Sequence, residues 1–338
     1  MPDTLTFNCT ITESENNLPV IDLLGSRFPY HDIKRWRTIV GSGNILLNGG
    51  QVEADRKVCT GDTLTYRAVD HREPAVSTEI EPVRETPDLL LIGKPAGTPV
   101  NRTGLIVYNT FVNILRRHYD QEIHPLHRLD RETSGLILCA RSNGACRAFQ
   151  KQMGQLVSGK YYLAVVHGEL EANGLEVDAP LTTRPDSPVR CRMHVDAGGK
   201  TCRTILHTIM AREGYSLILA ELLTGRRHQI RAHLAHLGYP LVGDKIYSHD
   251  GKYFLKRLER DLSGEDYDAL GAENHTLHAW AMRLQLPEQP ERLRFSKLFS
   301  PDMRRYLQLF PDWQEKAAQL LKTGLALPIN PKRNLSCI

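Results

Sequence analysis

One aspartate has the surroundings of a reactive carboxylate, in the segment EIHPLHRLDRETSGLILCARS at residues 122–142. A basic loop that contains proline delivers Asp130, a Thr-Ser-Gly turn follows it, and a buried strand comes next. This order presents a carboxylate at the rim of a sheet. The hydroxyls and amides of residues 133–135 are expected to bond its ionised oxygens, while Arg128 and Arg131 supply positive potential for a phosphate backbone.

The same segment permits two other interpretations. Asp130 could cap a turn while the arginines form a solvated surface, and spacing alone does not separate this from a reactive carboxylate. Glu132 is a candidate second carboxylate, and a carboxylate pair is typical of glycoside hydrolases. We expect the side chains of Asp130 and Glu132 to face opposite ways on the loop, which disfavours that pairing.

A second basic segment, RRHQIRAHLAHL, predicts an amphipathic helix that starts at Arg226 and ends before Gly238. Its apolar face carries Ile230, Leu234 and Leu237. At about 100° per residue, Arg226 falls within that face and Arg231 at its border, so both guanidinium groups are expected to meet buried or half-buried carboxylates. Asp130 is the natural partner for one of them, and an adjacent arginine lowers a carboxylate pKa by roughly 1 to 3 units.

Tyr161 and Tyr162 are neighbours in the apolar segment KYYLAVVHG, which predicts a strand. Successive side chains of a strand point to opposite faces, so one of these two tyrosines faces the cleft. As a bare observation, each of them also fits an ordinary core or surface position.

Histidines and cysteines do not form a metal-binding pattern. His228 and His233 are five residues apart on different faces of the predicted helix, and His233 and His236 have no nearby cysteine or acidic ligands. The seven cysteines are odd in number and contain no C-x-x-C pair. We predict no metal, and free thiols in a reducing cytoplasm.

The sequence pattern divides the 338 residues into four parts. Residues 1–70 predict a small unit of two helices and a hairpin, with Asn48-Gly49 as the hairpin turn. Residues 71–87 contain three prolines and mixed charge, which is typical of a linker. Residues 88–300 are predicted to form the catalytic domain, and residues 301–338 a helical extension with a loose tail.

Strand and helix patterns mix along residues 88–300. Buried strands are predicted at DLLLIGKPAG, GLILCARS and KYYLAVVHG, a helix at YNTFVNILRRHY, and two strands around the turn at residues 212–214. We therefore predict an α+β fold with a mixed or antiparallel sheet flanked by helices, beside the small α+β unit.

Composition excludes some classes of protein. Hydrophobic residues make up 41% of the chain and charged residues 24%, and no apolar run approaches the roughly 18 residues of a membrane-spanning helix. The first residues are polar and acidic, unlike a secretory signal, so we expect a cytoplasmic protein. The net charge of +4 permits a polyanionic partner without requiring one.

Three ordered motifs resemble those of the RluA family of RNA pseudouridine synthases. They are HRLDRETSG at residues 127–135, GKYYLAVVHG at 159–168 and LLTGRRHQIRAHLAHLGYPLVGDKIYS at 222–248. The resemblance implies the pseudouridine synthase fold from about residue 88 to 286. It also implies that Asp130 is the catalytic aspartate, that Tyr162 stacks on the target base, and that Arg231 pairs with the aspartate.

The resemblance assigns further residues to RNA. Arg128 matches a position implied in displacing the flipped base. Through their charge, Arg131, Arg226 and Arg227 are also predicted to contact RNA. The family usually has one arginine followed by a small polar residue where this chain has Arg226-Arg227, which leaves the role of Arg227 open.

The small amino-terminal unit is similar to the alpha-L RNA-binding module of a ribosomal protein. The likeness rests on ILLNGGQV at residues 45–52 and TGDTL at residues 60–64. By that likeness its RNA face is formed by Lys34, Arg35, Trp36 and Arg37. A purely structural appendage is the alternative.

The resemblance implies isomerisation of specific uridines in structured ribosomal or transfer RNA, through a catalytic aspartate and base flipping. No cofactor is expected, since the chain contains no Walker loop or G-x-G-x-x-G fingerprint and the reaction needs no redox change or energy input. We expect a monomer. The alternative is a non-catalytic RNA-binding or assembly factor with the same fold.

Overall fold

The computed structural model describes residues 4–28, 31–69, 71–104, 106–286 and 290–322. The predicted loose tail lies outside these residues. The chain divides into two compact units: Met1–Ala75 with Arg102–Tyr108 and Leu258–Asp261 form the smaller, and Val76–Asn101 with Asn109–Arg257 and Leu262–Ile338 form the larger. None of the helices in these ranges has the length and apolar character needed to cross a membrane.

The smaller unit contains the predicted helices and hairpin. Its elements are β1 (Thr4–Thr10), α1 (Val20–Arg27), α2 (Ile33–Gly41), β2 (Ile45–Leu47), β3 (Gly50–Gln51) and β4 (Thr63–Val69). The sheet is antiparallel in the order β1-β4-β2-β3. Asn48 and Gly49 have φ of 51° and 84°, and positive φ at both central residues is what a type I′ hairpin requires. Strand β1 was not among the predicted elements.

Trp36 corrects one prediction for this unit. Its side chain is 0% exposed and packs in the core, where its indole lies edge-on to Tyr66 at 5.3 Å between ring centroids. The indole nitrogen donates to the carbonyl of Phe28 at 3.1 Å. Trp36 therefore stabilises the unit from inside and is not part of an RNA face.

The larger unit is built on a long sheet with helices packed on it. Its strands are β5 (Glu81–Glu85), β6 (Leu89–Lys94), β7 (His124–Pro125), β8 (Ser134–Ala140), β9 (Val157–His167), β10 (Asn173–Asp178), β11 (Leu181–Thr182), β12 (His194–Val195), β13 (Arg203–Arg212), β14 (Tyr215–Leu222), β15 (Leu277–Leu284) and β16 (Arg292–Phe295). Its helices are α3 (Phe111–Tyr119), α4 (Asn143–Lys151), α5 (Met153–Leu156), α6 (Gln229–His236), α7 (Lys252–Glu259), α8 (Gly264–Leu270), α9 (Pro301–Leu307) and α10 (Trp313–Lys322).

The main sheet runs in the order β10-β13-β14-β9-β15-β8-β6-β5, with β16 beside β15 and β7 beside β8. The pair β8–β15 is parallel, and the other pairs are antiparallel. The predicted α+β fold with a mixed sheet is therefore confirmed. Strands β9, β15 and β8 are neighbours at the centre of the sheet, and each is bounded by apolar side chains on both faces.

Two predicted boundaries differ from the structure. Residues 81–85, which the prolines and charges assigned to a linker, form β5 and pair with β6. The carboxylate of Glu81 accepts from the hydroxyl of Ser296 and the amide of Lys297, which ties β5 to the segment that follows β16. Helices α9 and α10 pack into one core with Tyr161 and Leu163 of β9, so they complete the larger unit instead of extending from it.

Candidate active site

Three elements of the larger unit bring the predicted catalytic residues together. Asp130 lies on the loop between β7 and β8, Tyr162 lies on the central strand β9, and Arg231 lies on α6, which follows β14. Because β8 and β9 are both neighbours of β15, the loop and the strand meet at one region of the sheet.

The carboxylate of Asp130 is paired with Arg231. Nη1 of Arg231 donates to Oδ2 of Asp130 at 2.8 Å, as the sequence predicted. The aspartate side chain is 26% exposed and the arginine side chain 5%. Burial by itself would raise the pKa of Asp130, but the cationic surroundings and the bond from Arg231 outweigh it and lower that pKa to about 2. The group is thus an ionised carboxylate that solvent or a substrate can reach from one side.

Arg231 is itself fixed by a second carboxylate that the sequence analysis did not identify. Its Nε and Nη2 donate to Oδ2 and Oδ1 of Asp244 at 2.7 and 2.8 Å. Asp244 is fully buried and also accepts from the amides of Ile246 and Tyr247. This fork-to-fork geometry holds the guanidinium plane, so its remaining donor is directed at Asp130.

The side chain of Tyr162 lies on the face of the sheet that packs against α6. It is 7% exposed and shares that core with Leu129 of the Asp130 loop and Ile230 of α6. Its partners on the neighbouring strands are Ala220 and Ala279, whose small side chains leave the ring uncrowded along the sheet. Burial and the nearby Asp130 charge raise the pKa of Tyr162, so its hydroxyl is neutral.

Tyr161 points the other way, into the core formed with α9 and α10. The predicted alternation is therefore present, and Tyr162 is the member of the pair that lies on the Asp130 side.

Glu132 does not form a carboxylate pair with Asp130. Both of its oxygens accept from Nζ of Lys245 at 3.0 Å, and it also accepts from the amide of His275 and from Arg257. Burial would raise its pKa, but these partners lower it to about 2. A fully engaged, ionised carboxylate is unsuited to act as the proton donor of a glycoside hydrolase.

The Thr-Ser-Gly turn has partners other than those predicted. Its hydroxyls do not bond Asp130: Thr133 Oγ1 lies 2.8 Å from Nε2 of His275, and Ser134 Oγ lies 2.8 Å from Nδ1 of His278. The amide of Thr133 donates to the backbone carbonyl of Asp130 at 3.2 Å, which closes the turn. The prediction was wrong because spacing along the chain did not reveal the two imidazoles on and before β15.

Gly135 explains why this turn needs glycine. Its φ is +103°, and a Cβ there would lie 2.2 Å from the carbonyl oxygen of Ala279. The backbone of β8 therefore approaches β15 at the point where their parallel pairing begins, and any side chain would separate the Asp130 loop from the sheet.

A buried lysine, Lys94, holds the Asp130 loop through its backbone. It was not among the residues predicted from the sequence. Lys94 is 0% exposed, and its Nζ donates to the carbonyls of Pro95, Thr98 and Arg131 at 2.8, 2.8 and 3.1 Å. Burial lowers the pKa of Lys94 to about 7, and the charge of Asp130 opposes that effect. The sequence signal was available, since this lysine ends the unbroken apolar run LLLIG.

His228 lies close to the other carboxylate oxygen. Its Nε2 is 3.9 Å from Oδ1 of Asp130, and its Nδ1 is 3.2 Å from the hydroxyl of Tyr247. The residue has φ of +57° immediately before α6. Burial and the charge of Arg231 lower its pKa to about 3, so the imidazole is neutral at physiological pH.

The predicted RNA-contacting arginines of the larger unit differ in exposure. Arg128 and Arg227 are exposed, the latter donating to the carbonyl of Cys191. Arg131 is half-buried and donates from Nε to the carbonyl of Gly97 at 2.9 Å.

Arg226 corrects the predicted helix. Since α6 begins at Gln229, Arg226 lies before the helix and is exposed, not within its apolar face. Its Nε donates to the carbonyl of Thr201 at 3.1 Å. The helix was placed three residues too early because the left-handed backbone of His228 is not visible in a hydrophobic pattern.

In the smaller unit, Lys34, Arg35 and Arg37 are all exposed on α2.

Among the described residues, no group of three or more histidine, cysteine or acidic side chains could hold a metal ion. His233 illustrates the reason, because its two ring nitrogens are engaged by Thr204 and the carbonyl of Ala179.

Known proteins that resemble this chain identify its family. The family model described as RNA pseudouridylate synthase matches residues 88–236, which include Asp130, Tyr162 and Arg231. The chain belongs to the RNA pseudouridine synthase family. Its similarity to members named as ribosomal large subunit synthases places it with the RluA-type branch, as the three motifs indicated.

Individual family members are similar over most of this chain. The mitochondrial tRNA pseudouridine(32) synthase of Saccharomyces cerevisiae is 29% identical over 252 residues, which are 74% of this chain and 54% of that protein. The ribosomal large subunit pseudouridine synthase D of Nitrosomonas europaea is 29% identical over 90% of this chain and 87% of its own length. This chain thus spans about half of the yeast relative and most of the bacterial one.

A solved structure shows the same fold. The human RNA pseudouridylate synthase domain containing 1 protein superposes with a TM-score of 0.50 and 23% identity, covering 65% of this chain and 85% of that one.

Proposed function

We propose that this protein is an RNA pseudouridine synthase, an isomerase that converts uridines of structured RNA to pseudouridine with Asp130 as the catalytic residue. The observation that carries the proposal is the ionised, partly exposed Asp130 held at 2.8 Å by a buried Arg231, beside Tyr162. The family membership of the chain supports the same reaction.

The reaction balances without any added reagent. The bond between N1 of uracil and the ribose C1′ breaks, the base turns, and a bond from C5 to C1′ forms. C5 then loses its hydrogen as a proton, and N1 carries a proton in the product. A single ionised carboxylate serves this chemistry either by attacking C1′ or by removing the hydrogen from C2′.

Asp130 is suited to either role because of its partners. Arg231 fixes Oδ2, which orients the carboxylate and keeps it charged, while Oδ1 accepts no hydrogen bond from the described residues. Asp244 prevents the guanidinium from turning with the substrate, so the carboxylate is held in place before RNA binds.

Access to C1′ requires the uridine to leave its helix stack, which costs a few kcal/mol. We infer that Tyr162 offers the everted uracil a stacking surface, which returns roughly 1 to 3 kcal/mol. Arg128 is exposed on the Asp130 loop, and we propose that it occupies the space that the base vacates.

Ribosomal and transfer RNA are the proposed substrates, since relatives carry names of both kinds. Arg131, Arg226 and Arg227 supply charge for the backbone near the site, and Lys34, Arg35 and Arg37 would do so from the smaller unit. We further propose a cytoplasmic monomer that needs no cofactor; the six free cysteines among the described residues are compatible with a reducing compartment.

The experiment that tests this function uses ribosomal and transfer RNA transcripts labelled with tritium at C5 of uridine. Pseudouridine formation replaces that hydrogen, so active protein should release tritium into water without releasing free uracil. Mapping pseudouridine in the same RNA then identifies the position. RNA binding without tritium release would instead support a non-catalytic assembly factor, and free uracil would support a hydrolase.

A further inference from the structure

The two oxygens of the Asp130 carboxylate have different surroundings. Oδ2 accepts from Arg231, whereas Oδ1 has no hydrogen bond within the described part of the chain and lies 3.9 Å from Nε2 of His228. That distance is too long for a direct hydrogen bond. The separation leaves room for an oxygen atom of a ligand, which could lie within about 3 Å of both Oδ1 of Asp130 and Nε2 of His228.

The hydrogen bonds around Tyr247 allow His228 to carry its proton on Nε2. The amide of Met193 can only donate, so the hydroxyl oxygen of Tyr247 accepts from it at 2.9 Å. The hydrogen of that hydroxyl is then available to Nδ1 of His228, which lies 3.2 Å away. An imidazole that accepts at Nδ1 and is neutral carries its proton on Nε2, and Nε2 is the atom that faces Asp130.

The position of this donor is held from several sides. Arg231 lies over the Tyr247 ring at 5.2 Å from its centroid, and Arg192 lies 5.5 Å from the same centroid. The left-handed backbone of His228 places the ring ahead of α6 instead of along its side. With its proton on Nε2, His228 is a neutral donor beside Oδ1 of Asp130.

We propose that His228 forms a ribose subsite, in which its Nε2–H donates to the 2′-hydroxyl oxygen of the target uridine. The proposal rests on the proposed function, because it assumes that Oδ1 of Asp130 approaches C1′ or C2′ of that ribose. The 2′-oxygen is bonded to C2′, next to the reactive C1′, so it enters the space between Oδ1 and Nε2. This hydroxyl distinguishes RNA from DNA, and His228 is accordingly a specificity residue of the site.

The test measures binding of two synthetic RNA stem-loops that contain the mapped uridine and differ only in having uridine or 2′-deoxyuridine at that position. Asp130→Asn protein is used throughout, so neither RNA is converted. We expect it to bind the ribose form roughly 3- to 10-fold more tightly, the effect of one hydrogen bond. Adding His228→Asn should bring that ratio close to one.

Asparagine is the chosen replacement because it adopts the left-handed conformation that position 228 requires, yet it is too short to reach the ribose. The ratio is taken within one protein, so a general loss of RNA affinity cancels. Tyr247→Phe provides a second arm: it leaves His228 in place but removes the hydroxyl that fixes the proton on Nε2, and the ratio should fall part of the way.

An undiminished ratio in the His228→Asn protein would overturn the ribose subsite, as would an unchanged ratio in Tyr247→Phe for the proton assignment on which it depends. Failure of the proposed function gives a different result, namely no tritium release by the wild-type protein from any of the RNA transcripts. The two failures are therefore distinguishable.

Discussion

Arg231 and Asp244 form a two-bond ion pair inside the larger unit, with Nε–Oδ2 and Nη2–Oδ1 distances of 2.7 and 2.8 Å. The pair lies behind the partly exposed carboxylate of Asp130, which accepts from Nη1 of the same guanidinium. The orientation of the Asp130 carboxylate therefore depends on Asp244, which is fully buried.

Replacing Asp244 with asparagine should impair catalysis by releasing Arg231. We expect kcat to fall roughly 100-fold with little change in RNA affinity, because a small misplacement of a reacting group has an effect of that size. The free energy of unfolding should fall by about 3 kcal/mol, since one partner of a buried pair is left uncompensated. Single-turnover kinetics and urea denaturation measure the two effects.

The matched control is Asp55→Asn, which removes the exposed pair with Arg37 at 3.8 Å. Surface pairs contribute about 0 to 1 kcal/mol, so this variant should be nearly neutral. If Asp244→Asn were as mild as the control in both measurements, Asp244 would not be the support of Arg231.

Much of this centre was accessible from the sequence, for physical reasons that can be named. The Asp130–Arg231 pair followed from the helical period, which placed Arg231 at the border of an apolar face. Asp244 and His275 could not be found in that way, because each meets the site through a loop whose path depends on tertiary packing. Lys94 could have been predicted as a buried support of the site, because a charged residue at the end of an apolar run is visible in the sequence.

In the fold, too, elements with a local sequence signal were predicted and elements held by tertiary contacts were not. Strands such as β6 and β8 are buried on both faces and give continuous apolar runs, which makes them visible in one sequence. Strand β5 contains two glutamates, a proline and an arginine, and it is held by pairing with β6 and by the Glu81 contacts, so local composition indicated a linker.

Tyr162 should tolerate phenylalanine better than alanine. Phenylalanine keeps the ring between Ala220 and Ala279, so RNA turnover should stay near the wild-type value. Alanine removes the stacking surface, and turnover should drop roughly 5- to 150-fold. Tyr161→Phe on the opposite face serves as the control for loss of a hydroxyl. Equal, wild-type-like turnover of Tyr162→Phe and Tyr162→Ala would exclude the stacking role.

Lys94 should make stability depend on pH in the alkaline range. Its pKa in the folded protein is about 7, against 10.5 ordinarily, so between these values the unfolded chain binds more protons than the folded one. The free energy of unfolding should therefore rise with pH across that interval, by up to about 1.4 kcal/mol per pH unit. Below pH 7 both states hold the proton, and this contribution is flat.

The measurement compares the wild-type protein with Lys94→Met from pH 6 to 9 by chemical denaturation. Other titrating groups are common to both proteins, so the difference in unfolding free energy isolates the lysine. A difference that is constant over this range would show that the amine keeps its proton throughout.

The basic residues of α2 should contribute to RNA affinity through charge. A Lys34→Gln/Arg35→Gln/Arg37→Gln protein should bind RNA more weakly, and the slope of log affinity against log salt should flatten by about 0.7 to 0.9 for each phosphate that is no longer neutralised. Arg304→Gln/Lys316→Gln on α9 and α10 removes exposed charge elsewhere and serves as the control. An unaltered slope in the α2 variant would identify the smaller unit as a structural appendage.

The most direct test of the account is the Asp130→Asn protein in the tritium-release assay. Asparagine keeps the size of the side chain and removes its charge, so the fold and RNA affinity should be retained while pseudouridine formation falls to background. Release of tritium at the wild-type rate by this protein would contradict the assignment of Asp130 as the catalytic carboxylate.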